Sequence, residues 1–97
     1  GCSGCHVPPL YTSDRQVTVE AVGTDPSAGL SPVRRSGHYR IPSLRGVGRT
    51  GPYLHDGRFQ RLEDLFTPKR SRELGHPWGL DLPDADRAAL LAFLRSI

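Results

Sequence analysis

The sequence predicts an all-α domain with long loops, and three observations lead to this prediction. The segment 83–97 places its apolar residues on one helical face, and a shorter segment, 61–66, repeats Leu and Phe at helical spacing. Between such segments the chain is rich in turn formers, with Gly 11 and Pro 9 among its 97 residues. Only 36% of the residues are hydrophobic, so a single domain with a modest core is expected.

The N-terminal two thirds of the chain contain few regular elements. Residues 2–7 are predicted to form a short helical turn, and residues 8–37 to be mostly loop. Within that loop, alternation of apolar and polar residues indicates one short strand over 16–20. The block 39–47 is predicted to form short helical turns interrupted by a proline and a glycine, and turns are expected on either side of 53–55.

The C-terminal helix has the clearest sequence signals. Pro83 suits the first turn of a helix, and Asp84 and Asp86 lie where the positive end of the helix dipole favours acidic side chains. The preceding helix, 61–66, ends before Pro68, and a loop follows it. The apolar face of the terminal helix is predicted to consist of Leu90, Leu91, Phe93, Leu94 and Ile97.

Cys2, Cys5 and His6 form a C-x-x-C-H motif, which is the attachment site of a c-type haem. On one turn of helix, two thiols add to the two porphyrin vinyl groups, and the following His reaches the iron as proximal ligand. The alternatives are a disulfide, a zinc half-site and a thioredoxin-type redox pair. A disulfide would close a very small loop, and zinc would need four ligands, for which no second cysteine pair exists. We therefore predict a cytochrome c-like haem domain without the N-terminal helix that usually precedes this motif.

Charge and hydropathy exclude several other functions. The net charge is +3, but the arginines are scattered without a recognition motif, so nucleic acid is not an expected partner. No stretch is apolar over the length of a membrane span. Covalent haem attachment takes place outside the cytoplasmic membrane, so a periplasmic or exported location is expected. The chain begins one residue before Cys2, so we expect it to be a fragment, a processed form or part of a longer chain.

The ligand on the distal side of the iron is not a methionine, because the Met count is 0. The iron is then either five-coordinate or bound by another side chain as its sixth ligand. We predict His76 as the distal ligand, since Gly75 and Pro77 on either side would present its imidazole from a loop; the alternative is an exposed loop histidine. His55 is predicted to bind a haem propionate or Asp56 instead. The remaining candidate ligands are Tyr11, His38, Tyr39, Tyr53 and Lys69, of which His38 is most simply a surface residue.

Four further segments occur in a characteristic order: Gly-Thr-Asp-Pro at 23–26, then 39–47, 50–57 and Leu-Glu-Asp-Leu at 62–65. Together with the haem-binding motif they resemble the C-terminal haem domain of bacterial di-haem cytochrome c peroxidases. The wider group includes the methylamine-utilisation di-haem enzymes. It also includes the di-haem rubber oxygenases, which have a Gly-His-aromatic-Gly segment before the last helix.

The resemblance implies that residues 1–97 are the C-terminal haem domain of a larger di-haem protein. In the peroxidases a Met between the last two helices ligates this haem. Here that interval holds His76, which resembles the rubber-oxygenase-like branch with its two histidine ligands. The resemblance also implies that Arg45 lies near a propionate, for which a solvated arginine is the alternative, and that calcium binds near Thr50 and Pro52 at a domain junction.

We therefore expect one covalent haem with two histidine ligands, which gives a low-spin iron of low potential suited to electron transfer. The domain would relay electrons within a di-haem peroxidase-like oxidoreductase, with an N-terminal haem domain or another redox protein as partner. Catalysis would take place at the other haem, and no catalytic residue is assigned here. Two alternatives remain. In the first, the haem is five-coordinate and itself reduces peroxide, with His55 or His76 as acid–base residue. In the second, the chain is a stand-alone periplasmic electron carrier.

Overall fold

The computed structural model describes every residue from Gly1 to Ile97. Helical segments make up 36% of the chain, and most of the rest is loop. The α-helices are α1 (Val19–Val22), α2 (Ser27–Leu30) and α3 (Asp84–Ser96), and the strands are β1 (Gln16–Thr18) and β2 (His38–Arg40). Single 3₁₀ turns lie at Cys2–Gly4, Val47–Arg49, Leu62–Phe66 and Arg72–Leu74. None of these helices has the length and apolar character that crossing a membrane requires.

The all-α prediction is wrong, because β1 and β2 pair into a two-stranded antiparallel sheet in which Val17 lies opposite Tyr39. The strand β1 was predicted, but the residues of β2 were assigned to helical turns. Tyr39 explains the difference: its side chain is only 4% exposed. Its hydroxyl donates to the Asp25 carbonyl (2.5 Å) and accepts from the Gly29 amide (3.0 Å). These contacts come from residues ten or more positions away, and they hold the backbone extended here.

The segment between the two strands is also more regular than predicted, since it contains α1 and α2 instead of only loop. Thr18 ends β1 and caps α1, because its hydroxyl accepts a hydrogen bond from the Ala21 amide at 3.2 Å. Gly29 is buried where an added Cβ would collide with Val19 and Tyr39, so α2 packs directly on the sheet region.

The C-terminal helix forms as predicted, with Pro83 immediately before it and Asp84 and Asp86 in its first turn. Its buried residues Leu91 and Leu94 pack against the 3₁₀ turn Leu62–Phe66, the second predicted helical segment. The core cluster consists of Tyr53, Leu62, Phe66, Leu91 and Leu94, with Leu44, Val47, Phe59, Leu65, Leu90 and Ile97 packed against it. This core lies between α3 and the hairpin-like turn closed by the bridge between Tyr53 and Phe59.

Candidate functional site

The N-terminal turn places the three residues of the haem-binding motif on one side of the chain. The amides of Cys5 and His6 donate to the Cys2 carbonyl at 3.1 Å and 2.9 Å, which closes a single helical turn. Residues three and four positions apart share a helical face, so this turn brings Cys5 and His6 each to the side of Cys2. The two cysteines are not joined in a disulfide. Both thiols lie on one turn and are free to react, as attachment of one planar group to both requires.

His6 is held so that one ring nitrogen stays free for a ligand. Its Nδ1 lies 3.1 Å from the carbonyl oxygen of Tyr11 and 3.1 Å from that of Pro42. Carbonyl oxygens only accept hydrogen bonds, so Nδ1 carries the proton and donates. The lone pair is therefore on Nε2. Ligating histidines usually have this arrangement, in which the nitrogen away from the metal donates to a carbonyl.

His76 lies opposite His6, although 70 positions of sequence separate them. Their ring centres are 6.5 Å apart and the ring planes are tilted by 40°. A metal–imidazole bond is about 2 Å long and the nitrogen lies about 1.1 Å from its ring centre, so two axial imidazoles on one metal have ring centres about 6 Å apart. The observed separation is close to this value, so His6 and His76 are the two residues that could hold one metal ion between them.

The environment of His76 keeps its imidazole neutral. Burial, and next the nearby charge of His6, lower the pKa of His76 to about 4. An imidazolium has no lone pair, so a lowered pKa leaves His76 able to bind a metal throughout the neutral range. Its ring also packs edge-on against Phe66, with 6.5 Å between ring centres, and against Trp78 at 5.0 Å.

Exposed apolar side chains lie next to both imidazoles. Val7 and Leu10 follow His6 in the chain and are 44% and 58% exposed, while Trp78 beside His76 is 46% exposed. Phe93, 43% exposed, packs edge-on against the ring of Tyr11, whose carbonyl binds His6. Where such side chains form one continuous apolar surface, it often marks a site that another group covers. A porphyrin, a flat and largely apolar ring, would suit such surroundings.

The loop that carries His76, residues 69–82, is held by arginine side chains. Arg70 Nη2 donates to the His76 carbonyl at 2.5 Å and to the Leu65 carbonyl at 3.0 Å. Arg72 donates to the Pro77 carbonyl at 2.7 Å and pairs with Asp81. Arg58 donates to the Leu74 carbonyl at 3.0 Å. Since the loop contains only one 3₁₀ turn, these side chains supply much of its polar bonding.

His55 and Arg45, the two residues predicted to lie near propionates, occupy different surroundings. The exposed ring of His55 stacks on Tyr39, with 3.8 Å between ring centres, and its Nδ1 is 3.4 Å from the Thr24 hydroxyl oxygen. The structure thus groups His55 with the sheet and not with His6 and His76. Arg45 Nε donates to the Pro9 carbonyl at 3.1 Å, close in the chain to the haem-binding motif.

The other candidate ligands make contacts of their own. The Tyr53 hydroxyl donates to the Val47 carbonyl at 2.8 Å, and the Tyr39 hydroxyl donates to Asp25. His38 is exposed on β2, and its Nδ1 donates to the Ser36 carbonyl at 2.5 Å. Among the histidine, tyrosine and tryptophan rings, His76 is the one whose ring is paired with that of His6.

The expected calcium ion finds no support. The structure has no group of three or more His, Cys, Asp and Glu side chains arranged to hold a metal ion, including around Thr50 and Pro52. Haem iron does not need such a group, because the porphyrin itself supplies four nitrogen ligands and the protein supplies one or two. The residues present therefore fit a haem: two thiols on one turn, two facing imidazoles and apolar surroundings.

Sequence reasoning missed the residues that hold the two imidazoles in place. The carbonyls of Tyr11 and Pro42 orient His6, and Arg70 binds the backbone of His76. Backbone carbonyls carry no sequence signal. An arginine in a polar loop is usually solvated, so nothing in the pattern around Arg70 distinguishes it from the other arginines.

Comparison with curated proteins finds the chain similar to methylamine utilization protein MauG of Paracoccus denitrificans, with 37% identity over 79 residues. The match includes 70% of this chain but only 20% of that protein, so the chain spans about a fifth of its relative's length. No protein-family model matches the chain. No solved structure matches it either. The similarity supports the resemblance to the di-haem peroxidase group, which includes the methylamine-utilisation enzymes.

Proposed function

We propose that this chain is a c-type haem domain that relays electrons within a di-haem, peroxidase-like oxidoreductase. Cys2 and Cys5 would hold the haem covalently, with His6 as proximal and His76 as distal ligand. The domain would be the C-terminal haem domain of the larger protein, and its partner would be an N-terminal haem domain or another redox protein. When bound, the haem supplies an iron that takes up and releases one electron at a time.

The observation that carries this proposal is the separation of 6.5 Å between the ring centres of His6 and His76. The separation suits one metal ion between two imidazoles. A haem iron held by both would favour electron transfer over the binding of peroxide.

The roles of the protein side chains follow from their contacts. The carbonyls of Tyr11 and Pro42 fix the tautomer of His6 and strengthen its free nitrogen as a donor. Burial keeps His76 unprotonated. The apolar groups around the pair, including Trp78 and Phe93, would exclude water from the haem faces.

An exported location follows from the proposed covalent haem. Thioether attachment to a C-x-x-C-H motif is carried out on the outer side of the cytoplasmic membrane, so haem-loaded protein should form only when the chain is directed there. Expression of the complete protein with and without an export signal tests this point. Covalently bound haem in denaturing gels is expected only in exported material.

The His76→Ala substitution tests the ligand assignment. In the haem-loaded protein we expect the iron of this haem to change from low to high spin, because one imidazole is removed. The wild-type minus variant absorption spectrum isolates this haem, even where the remainder of the protein carries another one. His38→Ala, which removes an exposed histidine on β2, is the matched control and should leave the spectrum unchanged.

Two results would contradict the proposal. A His76→Ala spectrum identical to the wild type would mean that another residue, or none, is the distal ligand. A wild-type haem that is already high spin and binds cyanide rapidly would favour the alternative in which this haem itself reduces peroxide.

A further inference from the structure

We infer that Arg70 is a positioning residue that holds His76 in place as distal ligand, an inference that rests on the proposed function. Hydrogen bonds from Arg70 connect the backbone of His76 to the packed core, so that the imidazole stays bound to the iron. Neither the family resemblance nor the sequence pattern assigns Arg70 any role.

The geometry around Arg70 connects the ligand directly to the core. One guanidinium nitrogen, Nη2, carries two hydrogens and donates one to the His76 carbonyl and one to the Leu65 carbonyl. Leu65 belongs to the 3₁₀ turn Leu62–Phe66 and packs against the core cluster. A single side-chain group therefore bridges the backbone of His76 and a turn that packs against the core.

Two further contacts fix the guanidinium itself. It lies over the ring of Phe59, 5.1 Å from the ring centre, and Phe59 also packs against the core cluster. Its Nη1 donates to the Ser71 carbonyl at 3.2 Å. A planar group with donors on several edges can make all of these contacts at once, whereas the ammonium of a lysine cannot lie flat on the ring and reach both carbonyls.

Besides Arg70, Arg72 restrains the backbone next to His76 by donating to the Pro77 carbonyl. Between Lys69 and the start of α3 the only regular structure is the turn Arg72–Leu74, which ends before His76. Without Arg70, the His76 carbonyl would lose its bond to the core and the imidazole would leave the iron more often. The expected consequence is faster replacement of His76 by an external ligand.

The test compares cyanide binding by the oxidised, haem-loaded protein in Arg70→Gln, Arg70→Lys and the wild type. We expect Arg70→Gln to bind cyanide about tenfold faster or more, in the range that loss of an outer-shell partner usually has. Arg70→Lys should give an intermediate rate, because the ammonium keeps the charge and can reach one carbonyl. If Arg70→Gln does not accumulate as folded protein, the lysine variant alone carries the comparison.

Arg34→Gln is the matched control, since it removes the same charge from an exposed loop position. It should bind cyanide at the wild-type rate. A wild-type rate in Arg70→Lys and Arg70→Gln would overturn the inference, and so would an increase of equal size in Arg34→Gln, which would assign the effect to net charge.

The inference and the proposed function fail in different ways. If His76→Ala becomes high spin while the Arg70 variants bind cyanide at the wild-type rate, only the role of Arg70 is wrong. If His76→Ala leaves the spectrum unchanged, the ligand assignment itself is wrong, and the role of Arg70 is wrong with it.

Discussion

The helix α3 and the neighbouring loop 69–82 are adjacent in sequence but are held in place by different forces. Helix α3 buries Leu91 and Leu94, which are 9% and 4% exposed, in the apolar core. The loop buries one large apolar side chain, Leu80 at 7% exposed, and its carbonyls accept hydrogen bonds from arginine side chains. We expect apolar burial to contribute most to the stability of the domain, and the arginine bonds to contribute most to the position of His76. Stability and ligand geometry should therefore respond to different substitutions.

The largest effect on stability is expected in the helix. Leu94→Ala removes a buried side chain from the core and should lower the free energy of unfolding by about 2–5 kcal/mol. At temperatures where the variant is folded, the haem spectrum should stay low spin, because the loop is unchanged. Thermal unfolding followed by circular dichroism and by the haem absorption measures both quantities.

The matched control for this variant is Leu30→Ala, since Leu30 is 58% exposed in α2. This substitution should lower the free energy of unfolding far less than Leu94→Ala does. If Leu94→Ala converted the iron to high spin while the protein remained folded, the separation between core and loop would be wrong.

A smaller effect on stability, with a larger effect on the haem, is expected in the loop. Gly75 has a φ of 145°, and an added Cβ would collide with the side chain of Leu54 and lie 3.2 Å from Phe59. Gly75→Ala should therefore lower the free energy of unfolding by about 1–3 kcal/mol. It should also displace His76. Absorption spectra of the haem-loaded variant should show a high-spin fraction.

Comparison with Gly37→Ala separates the two effects of Gly75→Ala, which are backbone strain and collision of the added Cβ. Gly37 has a φ of 62°, but nothing lies within 4 Å of an added Cβ. Backbone strain alone should lower the free energy of unfolding of this variant by about 1–2 kcal/mol. Its haem spectrum should stay that of the wild type. A spectrum of Gly75→Ala that matches that of Gly37→Ala would show that the position of His76 does not depend on the packing of this loop.

The smallest effect is expected at the surface of the helix, where Arg95 pairs with Glu63. Their side chains are 50% and 41% exposed, so water and salt screen the pair. Glu63→Gln should change the free energy of unfolding by no more than about 1 kcal/mol. A loss approaching that of Leu94→Ala in thermal unfolding would mean that charge, and not apolar burial, holds α3.

How far the sequence predicts the structure differs between these same regions. Helix α3 was predicted almost to the residue, because periodic burial and the acidic first turn are local signals. The C-x-x-C-H motif formed by Cys2, Cys5 and His6 is a local sequence signal of the same kind. The role of His76 as distal ligand stays a prediction from the absence of methionine, the loop position and the family resemblance, and the structure places its ring 6.5 Å from that of His6. The arginine bonds that hold His76 were not predicted, because they join residues whose sequence context is ordinary.

The small sheet shows the same limit. The strand β1 alternates visibly, but β2 was assigned to helical turns. Its pairing with β1 and the buried contacts of Tyr39 with Asp25 and Gly29 make it a strand. Tertiary contacts override local preference most easily in segments of three residues, where little local free energy opposes them.

Low-temperature electron paramagnetic resonance of the oxidised, haem-loaded protein tests the central claim most directly. Two imidazoles on one iron predict a low-spin signal from the haem of this domain, and this signal should disappear in His76→Ala and persist in His38→Ala. A high-spin signal from this haem in the wild type, or a low-spin signal that survives His76→Ala unchanged, would contradict the claim that His6 and His76 share one iron.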